Sequence, residues 1–222
     1  MKVFVVGLFK GYARWIDGVE LVDKMEDADI VLFTGGEDIH PKLYGERKLS
    51  CTGANTIRDT EEVDAFNKVV KLVKKGKKII CFGTCRGAQL LCALNGGKVI
   101  QDVSGHAIYG THPITDGEIT MDITSLHHQM MYPFNMDRKN YDLKFWSAKT
   151  LSHHYEGNYV VVDEMYDAAR NMILEPEIVL FHAEGMPKCI AVQGHPEMMR
   201  PEAPVVRYLN DFVKEVVKSV KK

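Results

Sequence analysis

Lys77-Lys-Ile-Ile-Cys-Phe-Gly-Thr-Cys-Arg-Gly-Ala-Gln-Leu-Leu-Cys-Ala-Leu-Asn-Gly-Gly97 reads as a buried strand, a glycine-flanked cysteine and then a helix. Gly83-x-Cys85-x-Gly87 has the shape of a nucleophile elbow, with cysteine where serine hydrolases place serine. The turn from strand to helix is tight, so its flanking residues must be small. It holds the nucleophile out at the C-terminal edge of a sheet, where open α/β folds bind ligands. It also sets the sulfur at a helix N-terminus, whose positive end favours a thiolate. The competing reading is a core cysteine in an ordinary strand-to-helix turn.

A complementary stretch lies near the other end. Cys189-Ile-Ala-Val-Gln-Gly-His-Pro-Glu197 is a short apolar run, read as a strand, that ends in His195-Pro196-Glu197. Thiol catalysis needs a sulfur, an imidazole to take its proton and an acceptor that orients the imidazole. His195 and Glu197 can supply the second and third parts. Pro196 restricts the backbone between them and so limits how the two side chains diverge.

With both stretches in view, the chain resembles the class I glutamine amidotransferase domains. Gly83-Thr-Cys-Arg-Gly-Ala-Gln89 and Gln193-Gly-His-Pro-Glu197 look like that superfamily's two signatures. The likeness is closer to its gamma-glutamyl hydrolase-like branch (peptidase C26), which includes gamma-glutamyl-GABA hydrolases. Val31-Leu-Phe-Thr-Gly-Gly-Glu-Asp-Ile-His-Pro-Lys-Leu-Tyr-Gly-Glu46 resembles a further motif of that branch. So do Arg58-Asp59 with Glu62, Asp64 and Phe66, and Thr124-Ser-Leu-His-His-Gln129. The motifs fall in the family's order between Val3 and Glu197.

The resemblance implies roles. Cys85 would be the nucleophile, His195 the base and then the acid, and Glu197 the orienting carboxylate. The oxyanion hole would come from the backbone N–H groups of Gly36 and Arg86, and Gly35 would bind the substrate. Gln89, one turn after Cys85, would touch the glutamyl group. Ser125, Leu126, His127, His128 and Gln129 would hold the amino and carboxylate end of the substrate. Two positions depart from the pattern. Thr34 replaces a proline, which is expected to loosen the oxyanion loop. Gly194 replaces an aromatic residue, which is expected to open space beside His195.

The implied fold is α/β: a flavodoxin-like three-layer sandwich around a central, mostly parallel sheet, with a small antiparallel extension. Apart from the resemblance, the chain alternates strand and helix, which argues for a parallel sheet. Strands are expected at Lys2–Val6, Asp29–Phe33 and Lys78–Phe82. Helices are expected at Asp17–Met25, at Thr60–Lys75 (capped by Asp59 or Thr60 and ended by Gly76) and at Arg86–Leu94. Shorter strands are expected at Glu118–Ile123, Leu143–Ser147, Tyr159–Val162, Ile178–Phe181 and Ile190–Gln193. These would carry the base back to the nucleophile. A closing helix is expected over Ala203–Val220. Residues 47–56 read as a surface connector or a lid.

The chain has 222 residues, which is the size of a single domain over 1–222. Such a domain buries roughly 70% of its unfolded surface and needs no disulfide staple. The formal charge of −2 gives no reason to expect nucleic acid or an anionic membrane as partner. No apolar run approaches the roughly 20 residues of a membrane span. Met1-Lys-Val-Phe-Val-Val-Gly7 is too short for a signal peptide and reads as the first strand. Five cysteines without a C-x-x-C pair fit reduced thiols and a cytosolic location.

His106, His112, the pair His127-His128 and the pair His153-His154 raise the question of zinc. Neighbours on a strand point to opposite faces, so each pair could give only one inward ligand. No H-E-x-x-H or paired-cysteine spacing is present, so neither metal nor cofactor is expected.

The chemistry implied is hydrolysis of a gamma-glutamyl amide through a glutamyl thioester, acting on a small-molecule gamma-glutamyl substrate. Two uses share it: free-standing hydrolysis, or service as a glutaminase subunit that passes ammonia to a separate synthetase. The remaining reading is an inactive homologue kept as a binding or regulatory module. The three filled positions, Cys85, His195 and Glu197, argue against that one.

Overall fold

Four runs of apolar residues, buried on both sides, form the middle of a nine-stranded sheet. The strands are β1 (Lys2–Val6), β2 (Glu20–Leu21), β3 (Ile30–Phe33), β4 (Ile80–Thr84), β5 (Ala107–Thr115), β6 (Thr120–Leu126), β7 (Tyr141–Ser147), β8 (Pro176–Phe181) and β9 (Cys189–Val192). Their spatial order is β2-β1-β3-β4-β9-β8-β7-β5-β6. From β2 to β9 neighbours run parallel; from β9 to β6 they run antiparallel. The computed structural model describes residues 1–7, 9–158 and 160–222.

Every residue of β3, β4, β8 and β9 is buried, as strands covered on both faces must be. The period-2 alternation sorts their side chains into two cores. Ile30, Leu32, Ile80, Phe82, Ile190 and Val192 face one way, against α3 (Pro204–Lys221). Val31, Phe33, Cys81, Cys189 and Ala191 face the other way, against α1 (Thr56–Lys74) and α2 (Arg86–Leu94). This is the expected three-layer α/β fold. α3 buries Val205, Val206, Leu209, Phe212, Val213, Val216 and Val217 in one stripe. Each such side chain contributes roughly 1.5–3 kcal/mol of transfer free energy.

Several local expectations need correction. Asp17–Met25 is not a helix. Gly18 has a φ of +60°, the Asp17 N–H is held by Asn210 Oδ1 at 2.7 Å, and Glu20–Leu21 pairs with β1. Tertiary partners overrule the local pattern there. α1 starts at Thr56, not Thr60, and its cap is Asn55, whose side chain accepts from the Arg58 N–H. Asp59 is occupied elsewhere, with Arg86 and the His40 N–H. No strand forms at 160–162: Val162 opens one helical turn, Val162–Met165, and Tyr159 lies outside the described residues. The longest strand, β5, falls in a stretch with no clear alternation, so no local pattern predicts it. The 47–56 segment is tethered, because Gln101 Oε1 accepts from the Leu49 N–H and from Thr52 Oγ1. Among the described residues no helix is long and apolar enough to cross a membrane.

Candidate active site

The β4–α2 turn sets Cys85 at φ +50°, ψ −108°, a conformation uncommon for a residue with a side chain. Two glycines make it possible. A β-carbon on Gly83 would lie 2.5 Å from the carbonyl oxygen of Gly87. One on Gly87 would overlap the carbonyl of Phe33 at the end of β3. The Cys85 N–H donates to the Val192 carbonyl at 2.8 Å, which fixes the elbow to the end of β9. Cys85 is buried, with 7% of the residue exposed.

The register of β4 on β9 explains how residues from mid-chain and from near the end meet. Cys81 faces Cys189 and Thr84 faces Val192. The chain leaving β9 therefore passes directly beside the elbow, and His195 comes three residues later. His195 Nδ1 lies 2.7 Å from Glu197 Oε1. That contact engages Nδ1 and leaves Nε2 on the other side of the ring. The His195 backbone is clasped by Thr124 of β6, whose hydroxyl accepts from the His195 N–H (2.7 Å) and donates to its carbonyl (3.1 Å). Burial pushes the imidazole toward its neutral form. Hydrogen bonding to Cys85 and to Glu197, and the negative charge of both, override this and raise its pKa to about 10.

Gly35, Gly36 and Arg86 border this group. A β-carbon on Gly35 would lie 2.9 Å from both His195 Cε1 and the Tyr12 hydroxyl. Only glycine lets the three approach. Gly36 has a φ of +141°, and a side chain there would overlap the Arg58 guanidinium. Arg58 Nη2 donates to the carbonyls of Thr34 (3.2 Å) and Gly35 (2.8 Å) and to Thr34 Oγ1 (2.9 Å). Thr34 thus does not loosen the loop; its hydroxyl is one of three acceptors that pin it. Arg58 Nε pairs with Glu62 Oε1 at 2.9 Å, and the other Glu62 oxygen pairs with Arg86. Arg86 is fully buried and also bonds Asp59 at 2.6 Å. One continuous ion-pair chain links the glycine turn to the first residue of α2, whose backbone N–H has no partner within the helix.

The remaining expected residues are placed less simply. Gln89 is buried and its amide donates to the Gln129 carbonyl at 3.0 Å. Ser125 is buried and donates to the His106 carbonyl. Leu126 ends β6. His127 points inward, with Nδ1 on the Gln129 carbonyl at 2.8 Å. His128 points outward and bridges Asp38 and Asp102 at 3.1 and 3.0 Å. Those hydrogen bonds, against partial burial, raise the His128 pKa to about 9. Gln129 is buried against Thr52 and Gln101. Gly194 opens no space. A β-carbon there would lie 2.5 Å from Ile123 Cγ1 and 2.6 Å from the Thr124 carbonyl, so β6 fills the place of an aromatic side chain.

Tyr12 joins the site from a segment that no motif marks. It sits in a short 3-10 turn, Lys10–Ala13, and its ring centre is 6.3 Å from that of His195. Burial, and then the charges of Glu197 and Cys85, raise its pKa. Only the tertiary approach of Gly35 reveals it. A cleft of about 610 Å³ opens beside Tyr12, Thr34, Gly35 and Arg58. Among the described residues, histidine and carboxylate groups able to hold a metal lie elsewhere, at buried His106, His127 and Glu177 and at the more exposed Asp102, His154 and Glu156.

This architecture is that of the class I glutamine amidotransferase superfamily. Residues 16–131 match the peptidase C26 family model, and the chain belongs to that family. A candidate GMP synthase subunit from Thermoplasma acidophilum superposes with a TM-score of 0.57 at 16% identity, over 100% of this chain and 96% of that one. PurLQS from Thermotoga maritima superposes with a TM-score of 0.55 at 14% identity, over 100% and 99%. In sequence, the glutamine amidotransferase-like protein YvdE of Lactococcus lactis is 37% identical over 91 residues. That alignment covers 37% of this chain and 36% of YvdE, so the chain matches only about a third of that relative's length.

Proposed function

We propose that the protein is a cysteine-dependent hydrolase of gamma-glutamyl amide bonds, acting within one domain over residues 1–222. The observation that carries this reading is the order Cys85, His195, Glu197: a strained elbow cysteine whose N–H is bonded to Val192, three residues before an imidazole that a carboxylate holds at 2.7 Å. The Cys85 thiolate attacks the side-chain carbonyl of glutamine or of a gamma-glutamyl conjugate. The oxyanion rests on the N–H groups of Arg86 and Gly36, each donor of this kind being worth about 3 kcal/mol. His195 gives its Nε2 proton to the departing amine, leaving a glutamyl thioester. A water, deprotonated by His195, attacks the thioester and releases glutamate and the Cys85 sulfur. Gly35, Gln89 and residues 125–129 form the glutamyl subsite. With Ser125, His127 and Gln129 buried, they would act there through the backbone they fix.

Glutamate release from a panel of glutamine, gamma-glutamyl amines and gamma-glutamyl peptides tests the reading. Wild-type protein is expected to turn over at least one class, and Cys85→Ala none. Near-wild-type hydrolysis by Cys85→Ala would overturn the assignment. Failure of a thiol-alkylating glutamine analogue to label Cys85 would favour the inactive-homologue reading instead.

A second reading is ammonia donation to a separate synthetase. It is favoured by the whole-length likeness in fold to the candidate GMP synthase component from Thermoplasma acidophilum. Glutaminase activity that appears only when a synthetase is added would select it over free-standing hydrolysis.

A further inference from the structure

The antiparallel half of the sheet encloses a second group of titratable side chains. His106 immediately precedes β5, His112 lies within β5, His127 follows β6 and Glu177 lies on β8. All four are buried, none more than 4% exposed. Glu177 Oε1 lies 3.1 Å from His112 Nε2, 3.5 Å from His106 Nδ1 and 3.9 Å from His127 Nε2. The ring centres of His106 and His127 are 4.7 Å apart, and those of His106 and His112 are 5.3 Å apart.

These atoms approach one another without satisfying one another, and His106 Nε2 faces a further buried carboxylate oxygen, Glu175 Oε2, at 3.2 Å. His106 Nδ1 and Nε2, His112 Nε2, His127 Nε2 and both carboxylate oxygens of Glu177 make no hydrogen bond of acceptable geometry. The far side of two rings is spoken for. His127 Nδ1 lies 2.8 Å from the Gln129 carbonyl, which can only accept, so this nitrogen carries the proton. His112 Nδ1 lies 3.4 Å from Ser147 Oγ, and that hydroxyl already donates to the Lys149 carbonyl at 2.7 Å. The His112 Nδ1 is therefore also the donor. In the neutral His127 ring Nε2 then presents a lone pair toward a carboxylate oxygen. Lone pairs converging in a dry interior are costly unless a cation joins them. An imidazole fixed by an Nδ1–H bond to a carbonyl is also the usual support of a metal ligand.

We propose that His106, His112, His127 and Glu177 bind a divalent transition-metal ion of the zinc class. Ligand bonds of about 2.0–2.2 Å in a tetrahedral site separate the donor atoms by roughly 3.3–3.6 Å. The three nitrogen–oxygen separations bracket that range. The donor atoms of His106, His127 and Glu177 all lie within 4.8 Å of one another, and His112 closes on the same carboxylate oxygen. Three imidazoles and one carboxylate select a zinc-like ion over calcium or magnesium, which require oxygen ligands. The site is buried and built from side chains away from Cys85, so the role is structural. The ion would tie β5, the end of β6 and β8 together. β6 is also the strand whose Thr124 clasps His195. The expectation that each histidine pair offers only one inward ligand holds for His127 and His128. Separate segments supply the other donors, and Glu177 belongs to no metal motif.

The test uses the full chain stripped with chelator, then titrated with Zn(II) and, separately, with Co(II). The expected result is one tightly held ion per chain, tetrahedral Co(II) ligand-field bands, and a melting temperature raised by zinc. Glu177→Gln and His127→Gln are expected to lose all three. His154→Ala, in the exposed Asp102–His154–Glu156 group, is expected to keep them. Absence of stoichiometric metal and of tetrahedral bands in the wild type would overturn the proposal. So would stoichiometric binding that survives in both Glu177→Gln and His127→Gln, or that is lost only in His154→Ala. Should the buried variants not fold, the wild-type Co(II) spectrum decides by itself. The test is independent of hydrolysis, so its failure leaves the proposed reaction untouched.

Discussion

A β-carbon on Gly83 would lie 2.5 Å from the carbonyl oxygen of Gly87, so the two glycines on either side of Cys85 hold strand and helix in contact. Gly87 is closed in from the other side by the carbonyl of Phe33. Both obstacles are backbone, which cannot rotate aside as a side chain can. Gly87→Ala is therefore expected to lose at least the roughly 1–3 kcal/mol typical of overpacking, and to displace Cys85 as well. Denaturant unfolding of the variant measures the first effect. The rate of Cys85 alkylation measures the second. Wild-type stability with wild-type alkylation would show that the elbow tolerates a side chain.

Arg58 offers a test of the glycine turn that leaves the sulfur alone. Its guanidinium donates to Thr34, to Gly35 and to Glu62 at once. A lysine ammonium cannot span that fork. Arg58→Lys is expected to lower kcat about 10- to 100-fold, part of what a lost oxyanion donor costs, with KM changed little. Alkylation of Cys85 by a simple haloacetamide forms no oxyanion and is expected to stay near the wild-type rate. Equal losses in both assays would instead mean that Arg58 shapes the whole site.

The central strands and α2 are legible in the sequence because their signals are local. Unbroken apolar runs mark β3, β4 and β9, and glycine spacing marks the elbow. The approach of the His195–Glu197 pair to the elbow is legible because both follow such runs. What the sequence hides depends on distant partners. The Arg58–Glu62–Arg86 chain, Tyr12 beside Gly35, and the filling of the Gly194 position by Ile123 all join segments far apart in sequence. The false helix at 17–25 has the same origin: its backbone is claimed by Asn210 and by β1, which no local window contains.

The protonation of His195 sets a pH signature. The imidazole titrates from an ordinary 6.5 in the unfolded chain and from about 10 in the folded one, held up by Cys85 and Glu197 against its burial. The folded state binds this proton more tightly. The stabilisation is thus complete below pH 6.5 and is lost as pH rises through about 10. Following the His195 ring by NMR, the wild type is expected to titrate near 10 and Cys85→Ala distinctly lower. Urea unfolding between about pH 6 and 10 should show the variant losing stability at lower pH than the wild type. Identical titrations in both proteins would mean that the sulfur and the ring do not interact.

Gly194 gives the last test, because two readings of it predict opposite outcomes. If glycine left a void beside His195, an aromatic residue would fill it and tighten the site. The fold says otherwise: Ile123 Cγ1 and the Thr124 carbonyl stand 2.5 and 2.6 Å from where a β-carbon would be. Thr124 is also the residue whose hydroxyl holds both backbone groups of His195. Pushing β6 away would slacken that clasp. Gly194→Phe is accordingly expected to lower stability by about 1–3 kcal/mol and to slow Cys85 labelling by a glutamine-like electrophile. Pairing it with Ile123→Ala should recover part of the stability, since the second change removes the atoms nearest the clash. A Gly194→Phe protein as stable and as readily labelled as the wild type would mean that β6 yields freely, and that the Thr124 clasp is not what positions His195.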